Sequence, residues 1–115
     1  AGRVLPAAEP LAFDSDGFVD LPPGPYQVVF NEVVALPTSL MALGRARSSL
    51  CRAGVTLHTA VWDAGYSGRG EGLLSVLSEH GYRLQRGARV AQLVFFRLSS
   101  ATVEGYAGRY QGENA

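Results

Sequence analysis

The stretch Arg89-Val90-Ala91-Gln92-Leu93-Val94-Phe95-Phe96-Arg97-Leu98 governs how the rest of the chain is read. From Val90 to Phe96 it is apolar except for Gln92, and it is rich in β-branched and aromatic side chains, which favour a strand. It is far short of the roughly 18 apolar residues that a membrane-spanning helix needs. So continuous an apolar run predicts a strand covered on both faces, either in a core or between subunits.

Working outward, His80-Gly81 and Arg86-Gly87 are turn signals that bracket a short strand at Tyr82-Arg83-Leu84-Gln85. Further strands are predicted at Leu73–Leu77, Val55–Trp62, Val33–Leu36 (stopped by Pro37) and Tyr26–Phe30. Leu21-Pro22-Pro23-Gly24-Pro25 reads as a corner. Phe13-Asp14-Ser15-Asp16-Gly17-Phe18 reads as a hairpin turned by Asp16-Gly17. Thr38–Leu43 is the single helix predicted, capped by Thr38 or Ser39 and ended by Gly44. Fourteen Gly and six Pro favour turns over long helices. Short strands at intervals of roughly ten residues point to an all-β chain, a barrel or jelly-roll-like fold. No internal repeat is found. Residues 1–115 are read as one domain. From Ser99 onward the chain turns polar, so 99–115 is expected to be a tail. That tail carries Tyr106, Arg109, Tyr110 and Gln111, which suit a segment that orders over a ligand better than a plain disordered end.

Composition narrows the function. The 115 residues are 47% hydrophobic with a formal net charge of zero, so the chain is globular and lacks the basic excess for binding nucleic acid by bulk attraction. A small phosphate ligand needs only a few local donors, and all ten basic residues are Arg. Cys51 is the one cysteine, which excludes a disulfide within the chain and fits a reducing compartment. No apolar run spans a membrane and no signal peptide is read, so a cytoplasmic location is expected.

Two stretches carry candidate chemistry. Arg47-Ser48-Ser49-Leu50 offers two hydroxyls beside Arg45, Arg47 and Arg52, a possible phosphate cradle or an ordinary loop. Trp62-Asp63-Ala64-Gly65-Tyr66 places Asp63 where a strand meets a turn. A carboxylate there can orient a water as general base, or simply accept turn amides. His58, His80 and Cys51 have no zinc spacing, and the His-x-Glu and Cys-x-x-Cys signature of zinc deaminases is absent.

Taken in order, these segments resemble the trimeric dUTPase/dCTP deaminase superfamily in its archaeal-type form. RSSLCRAG at 47–54 resembles its phosphate-binding motif and TAVWDAGYSGRG at 59–70 its nucleoside-binding hairpin. GARVAQLVFFRL at 87–98 resembles its Gln-bearing strand and GRYQGEN at 108–114 its closing segment; LPPGPYQV at 21–28 also fits. The resemblance implies a distorted, jelly-roll-like β-barrel with one short helix, assembled as a homotrimer with shared active sites. It implies that Arg47, Ser48, Ser49, Arg52 and Gln92 bind the triphosphate. Ala60 and Val61 would present backbone groups to the pyrimidine, and Tyr66 would pack on the deoxyribose. Asp63 would orient the attacking water, while Arg109, Tyr110 and Gln111 close over the nucleotide. Mg2+ would ride on the phosphates with no metal ligand from the protein. The activity implied is hydrolysis of dUTP to dUMP and pyrophosphate. Relatives carry a Tyr-Asp-Leu-type motif before the first hairpin, and the sequence beginning at Ala1-Gly2-Arg3 lacks it.

The superfamily's deaminases place an acid/base Glu five residues after the position matching Gly68. Leu73 stands there, with Glu71 two residues earlier; only a local bulge would bring Glu71 into place. Hydrolysis is therefore the favoured expectation. Deamination of dCTP, alone or combined with hydrolysis, is the alternative, followed by a non-catalytic nucleotide-binding protein.

Overall fold

The computed structural model describes residues 3–101 and 105–115; part of the expected tail, residues 102–104, lies outside the described residues. Ten strands and one helix follow one another as β1 (Phe18–Leu21), β2 (Gly24–Val29), β3 (Val34–Ala35), β4 (Leu40–Ala46), α1 (Ser48–Arg52), β5 (Val55–His58), β6 (Val61–Trp62), β7 (Ser67–Gly68), β8 (Glu71–Val76), β9 (Tyr82–Gln85) and β10 (Ala91–Arg97). They pair antiparallel in four small sheets, β1-β9, β10-β4-β6, β2-β8-β5 and β3-β7. The sheets wrap around the core without closing into one ring of pairing, so the jelly-roll-like barrel is a distorted one.

The predicted helix at Thr38–Leu43 is a turn followed by β4. Leu, Met and Ala favour a helix intrinsically, but β4 is a central strand. It pairs with β10 from Leu40↔Arg97 to Ala46↔Ala91, and with β6 at Ala42↔Trp62 and Leu43↔Val61. Ladders on both sides override so weak a propensity. The helix falls instead on Ser48–Arg52, where Leu50 is buried and Gly54 follows the C-cap Ala53. A helix of this length does not stand alone; Leu50 ties it to the core. Other boundaries shift for similar reasons. The predicted strand Val55–Trp62 breaks at Thr59-Ala60, because β5 joins β8 while β6 crosses to β4. The turn at Asp14–Gly17 forms, but it opens no local hairpin: β1 pairs with the distant β9.

The core has two lobes. Leu21, Leu50, Val55, Leu57, Leu74 and Val76 form one; Leu36, Ala42, Trp62 and Tyr66 form the other, and Phe30 packs against both. Trp62 fills a slot between β4 and the turn before β8. A side chain at Gly44 would meet Trp62 Cζ3 at 2.9 Å and Thr59 Oγ1 at 2.7 Å, and one at Gly70 would meet Trp62 Cζ2 at 2.9 Å. Both positions thus require glycine by close approach. Val90–Phe96 is not covered on both faces. Val90, Ala91 and Leu93 pack on the core, whereas Val94, Phe95 and Phe96 are 38%, 53% and 44% exposed within the chain, so the C-terminal half of the run is not covered as expected.

Gly44→Ala is expected to destabilise the chain by about 1–3 kcal/mol through overpacking against Trp62 and Thr59. Urea unfolding measures this, and an unchanged midpoint would contradict so tight a slot.

Candidate nucleotide site

β6 ends at Trp62, and the chain turns at once. The Tyr66 amide donates to the Asp63 carbonyl at 3.0 Å, closing a turn that leads into β7. Asp63 therefore leaves the core on an exposed corner, while Tyr66 re-enters it and is 5% exposed. Asp14, not Asp63, is the carboxylate that accepts turn amides. Asp14 Oδ1 accepts the amides of Asp16 and Phe18, both at 2.9 Å, and these bonds hold its pKa below the usual value. Among the described residues the Asp63 carboxylate accepts no hydrogen bond.

Asp63 lines a cavity of about 160 Å3 together with Ala60, Val61, Tyr66, Glu71, Tyr106, Tyr110 and Glu113. The last three come from the tail, which docks on the β6–β8 segment of its own chain. The Tyr66 hydroxyl donates to Glu113 Oε1 at 2.9 Å, and the Ser67 amide to Gln111 Oε1 at 2.8 Å. Asn114 Nδ2 donates to the Arg69 carbonyl and to Glu71 Oε2, each at 2.9 Å. The Arg69 guanidinium donates to the carbonyls of Asn31 and Asn114. Burial, then the hydrogen bond and charge of Glu113, push the Tyr66 phenol well above its ordinary value of 10.0.

The expected site residues fall into two groups. Ala60, Val61, Asp63, Tyr66 and Tyr110 meet around the cavity. Gln111 lies beside it as a staple: its Oε1 takes the Ser67 amide, and its Nε2 donates to the carbonyls of Gly65 and Tyr106. Arg109 stacks over Tyr110, 5.4 Å from the ring centre. The second group lies elsewhere. Ser48, Ser49 and Arg52 stand exposed on α1, Arg47 precedes it, and Gln92 is exposed on β10 beside Arg45 of β4. The Arg47 amide donates to the Val90 carbonyl at 3.2 Å, joining the α1 end to the start of β10. None of these five lines this cavity, but Arg47 and Gln92 line a larger one of about 1420 Å3 that shares Trp62, Gly70 and Glu71 with it. Tyr106 is one of the tail residues that the sequence suggests for ordering over a ligand, and it reaches the cavity; Glu113, Asn114 and Arg69 have no such signal. Glu113 and Asn114 belong to the GRYQGEN segment, but nothing in a linear reading shows that they reach back more than 40 residues to Tyr66, Arg69 and Glu71.

The arrangement is thus a small all-β scaffold with a roofed, carboxylate-lined cavity and an open face of hydroxyls and guanidinium groups. Comparison with known proteins gives that scaffold its family. The chain belongs to the dCTP deaminase-like family, whose model matches residues 3–98. Among its relatives, the probable deoxyuridine 5'-triphosphate nucleotidohydrolase of Methanosarcina acetivorans is 52% identical over 97% of this chain and 66% of its own length. Proteins of the same name from Archaeoglobus fulgidus and Aeropyrum pernix are 50% and 47% identical, over 97% and 96% of this chain and 65% and 69% of their own lengths. The chain thus spans just under two thirds of the length of the Methanosarcina acetivorans relative. The solved native EIAV dUTPase shares the fold, with a TM-score of 0.50 at 17% identity, over 84% of this chain and 88% of that one.

The raised Tyr66 pKa has a direction in stability. Above pH 10 the unfolded chain loses this proton while the folded chain keeps it, so the contribution is complete below pH 10 and is lost as pH rises beyond it. In an alkaline ultraviolet titration one of the five tyrosines should ionise late, and Tyr66→Phe should remove that late step. If the variant leaves the late step in place, another tyrosine holds it.

Proposed function

We propose that the chain is a dUTP diphosphatase, hydrolysing dUTP to dUMP and pyrophosphate. The observation that carries this reading is the Asp63 carboxylate, free of protein hydrogen bonds at the wall of the small cavity; the names of the archaeal relatives point the same way. A free carboxylate can take the proton of a water as that water attacks. The water oxygen forms a bond to the α-phosphorus, the bond from that phosphorus to the β-bridging oxygen breaks, and pyrophosphate leaves.

In this reading the base lies against Ala60 and Val61, and Tyr66 packs on the deoxyribose where a 2′-hydroxyl would stand. Arg47, Ser48, Ser49, Arg52 and Gln92 take the triphosphate, while Arg109, Tyr110 and Gln111 belong to the closing tail, residues 99–115 of a single domain. Mg2+ is the proposed cofactor. The face around α1 is made of hydroxyls and guanidinium groups, which suit phosphate oxygens. Those donors fit an ion that arrives on the triphosphate, where it neutralises phosphate charge. No group of three His, Cys, Asp or Glu among the described residues would hold a metal alone.

The separation of Ser48, Ser49 and Arg52 from the cavity supports a homotrimer whose active sites draw on more than one copy. β10 supports it as well, since it ends its sheet and exposes Val94, Phe95 and Phe96. Phe95→Asp is expected to shift the species seen in sedimentation from trimer to monomer. A wild-type chain that sediments as an active monomer would overturn the shared-site reading. No helix among the described residues is long and apolar enough to cross a membrane, and a cytoplasmic location remains part of the proposal.

Deamination of dCTP has one observation in its favour, because Glu71 lines the same cavity as Asp63. The bulge it needs does not form. β8 pairs without interruption from Gly24↔Val76 to Val29↔Glu71, and Leu73 keeps its place in that ladder. Asp63→Asn is expected to lower dUTP turnover by roughly 10²–10⁴-fold, while Glu71→Gln stays near wild type. Product chromatography from dUTP and dCTP with magnesium decides between the readings. A dead Glu71→Gln variant that still binds nucleotide, or any deaminated product from dCTP, would favour the deaminase.

A further inference from the structure

The Tyr66 ring is held on two sides by different parts of the chain. Leu36, Ala42 and Trp62 pack on its core side. On the other side stand two residues of the tail. The Tyr106 ring meets it edge-on at 5.6 Å, and Glu113 Oε1 accepts its hydroxyl proton at 2.9 Å across a sequence separation of 47 residues. Half of what fixes this ring therefore arrives only when the tail docks. The docked tail is in turn pinned by bonds that bypass Tyr66: Gln111 to Ser67 and Gly65, and Asn114 to Arg69 and Glu71.

The direction of the Tyr66 hydrogen bond matters chemically. A phenol has a single O–H to donate. With that proton given to Glu113, Tyr66 has none left for a ligand hydroxyl oxygen. It presents a ring wall fixed from both sides, and a fixed wall rejects an added oxygen atom more strongly than one free to swing aside.

We infer that Glu113 is a specificity-determining positioning residue: by taking the Tyr66 phenol proton it locks the ring against the sugar, so that rejection of ribose is completed only when the tail closes. This rests on the proposed reading of Tyr66 as the wall beside the deoxyribose. It adds a residue outside the expected closing set of Arg109, Tyr110 and Gln111, and it makes sugar choice a property of the docked tail.

The test compares the full wild-type chain with Glu113→Ala and Glu113→Gln. Two readouts are taken, kcat/KM for dUTP against UTP with magnesium, and calorimetric Kd for dUMP against UMP. The expected result is a wild-type preference for the deoxy form in both. Glu113→Ala should cut that preference by roughly tenfold or more. Glu113→Gln, whose amide oxygen still accepts the phenol proton, should retain it. A Glu113→Ala chain with undiminished preference, or equal losses in Ala and Gln, would overturn the role of Glu113 alone. A wild type that binds dUMP and UMP equally would overturn the sugar reading of Tyr66 and this inference with it. A wild type without turnover would sink only the hydrolase reading, because the dUMP-to-UMP binding ratio still decides the role of Glu113.

Discussion

Trp62 is the constraint on which the rest of this small fold depends. Its ring lies between Gly44 and Gly70, too close to either for a side chain there, and packs at 5.9 Å from Phe30, which touches both lobes of the core. One indole thus binds the β10-β4-β6 sheet to the turn that starts β8. The backbone leaves this fixed point straight into Asp63 and, a turn later, into Tyr66. A carboxylate on an exposed corner is ordinarily placed only loosely. Here it is the next residue after a buried ring wedged between two glycines, so the corner is tied to the core.

The strands were legible where local chemistry and tertiary pairing agree. Tyr26–Phe30, Leu73–Leu77 and Tyr82–Gln85 have β-forming side chains bounded by turn residues, and each lies on or within two residues of an observed strand. In Thr38–Leu43 the residues Leu, Met and Ala speak for a helix, while the two ladders that make Leu40–Ala46 a strand come from residues 61–62 and 91–97. The break at Thr59-Ala60 has no marker either, since Thr and Ala are acceptable in a strand; only the exchange of partners from β8 to β4 ends it. Position along the chain cannot report which edge will be free. The same limit explains why β10 read as doubly buried although one chain alone leaves its end open.

The site was legible in part for the same reason. Asp63 and Tyr66 are neighbours in sequence and meet at one cavity, so their spacing already carried the geometry. Glu113, Asn114 and Arg69 act by long reach. Their polar atoms meet because the tail turns back on the β6–β8 segment, and neither periodicity nor spacing encodes that return. Asp14 and Asp63 show how far residue type alone falls short. Both stand at turns and both are exposed, yet one spends its carboxylate on backbone amides and the other keeps it free.

A net charge of zero conceals a local polarity that bears directly on how a nucleotide would lie. Asp63, Glu71 and Glu113 surround the cavity, whereas Arg47 and Arg52 accompany the hydroxyls of Ser48 and Ser49 at α1. Like charges a few ångströms apart repel, and partial desolvation strengthens the effect. Under the proposed function, a triphosphate would be turned away from the carboxylates and drawn toward the guanidinium groups, while an uncharged base and sugar would carry no such penalty in the cavity. Orientation of the ligand thus follows from charge before any shape is tested. The docked tail sharpens it, since closure adds Glu113 to the carboxylate side and leaves the α1 face open. The proposed selection by charge end to end, then by shape around Tyr66, would need only a handful of side chains, and a chain this short can hold them in place because Trp62 anchors the corner that presents Asp63 and Tyr66.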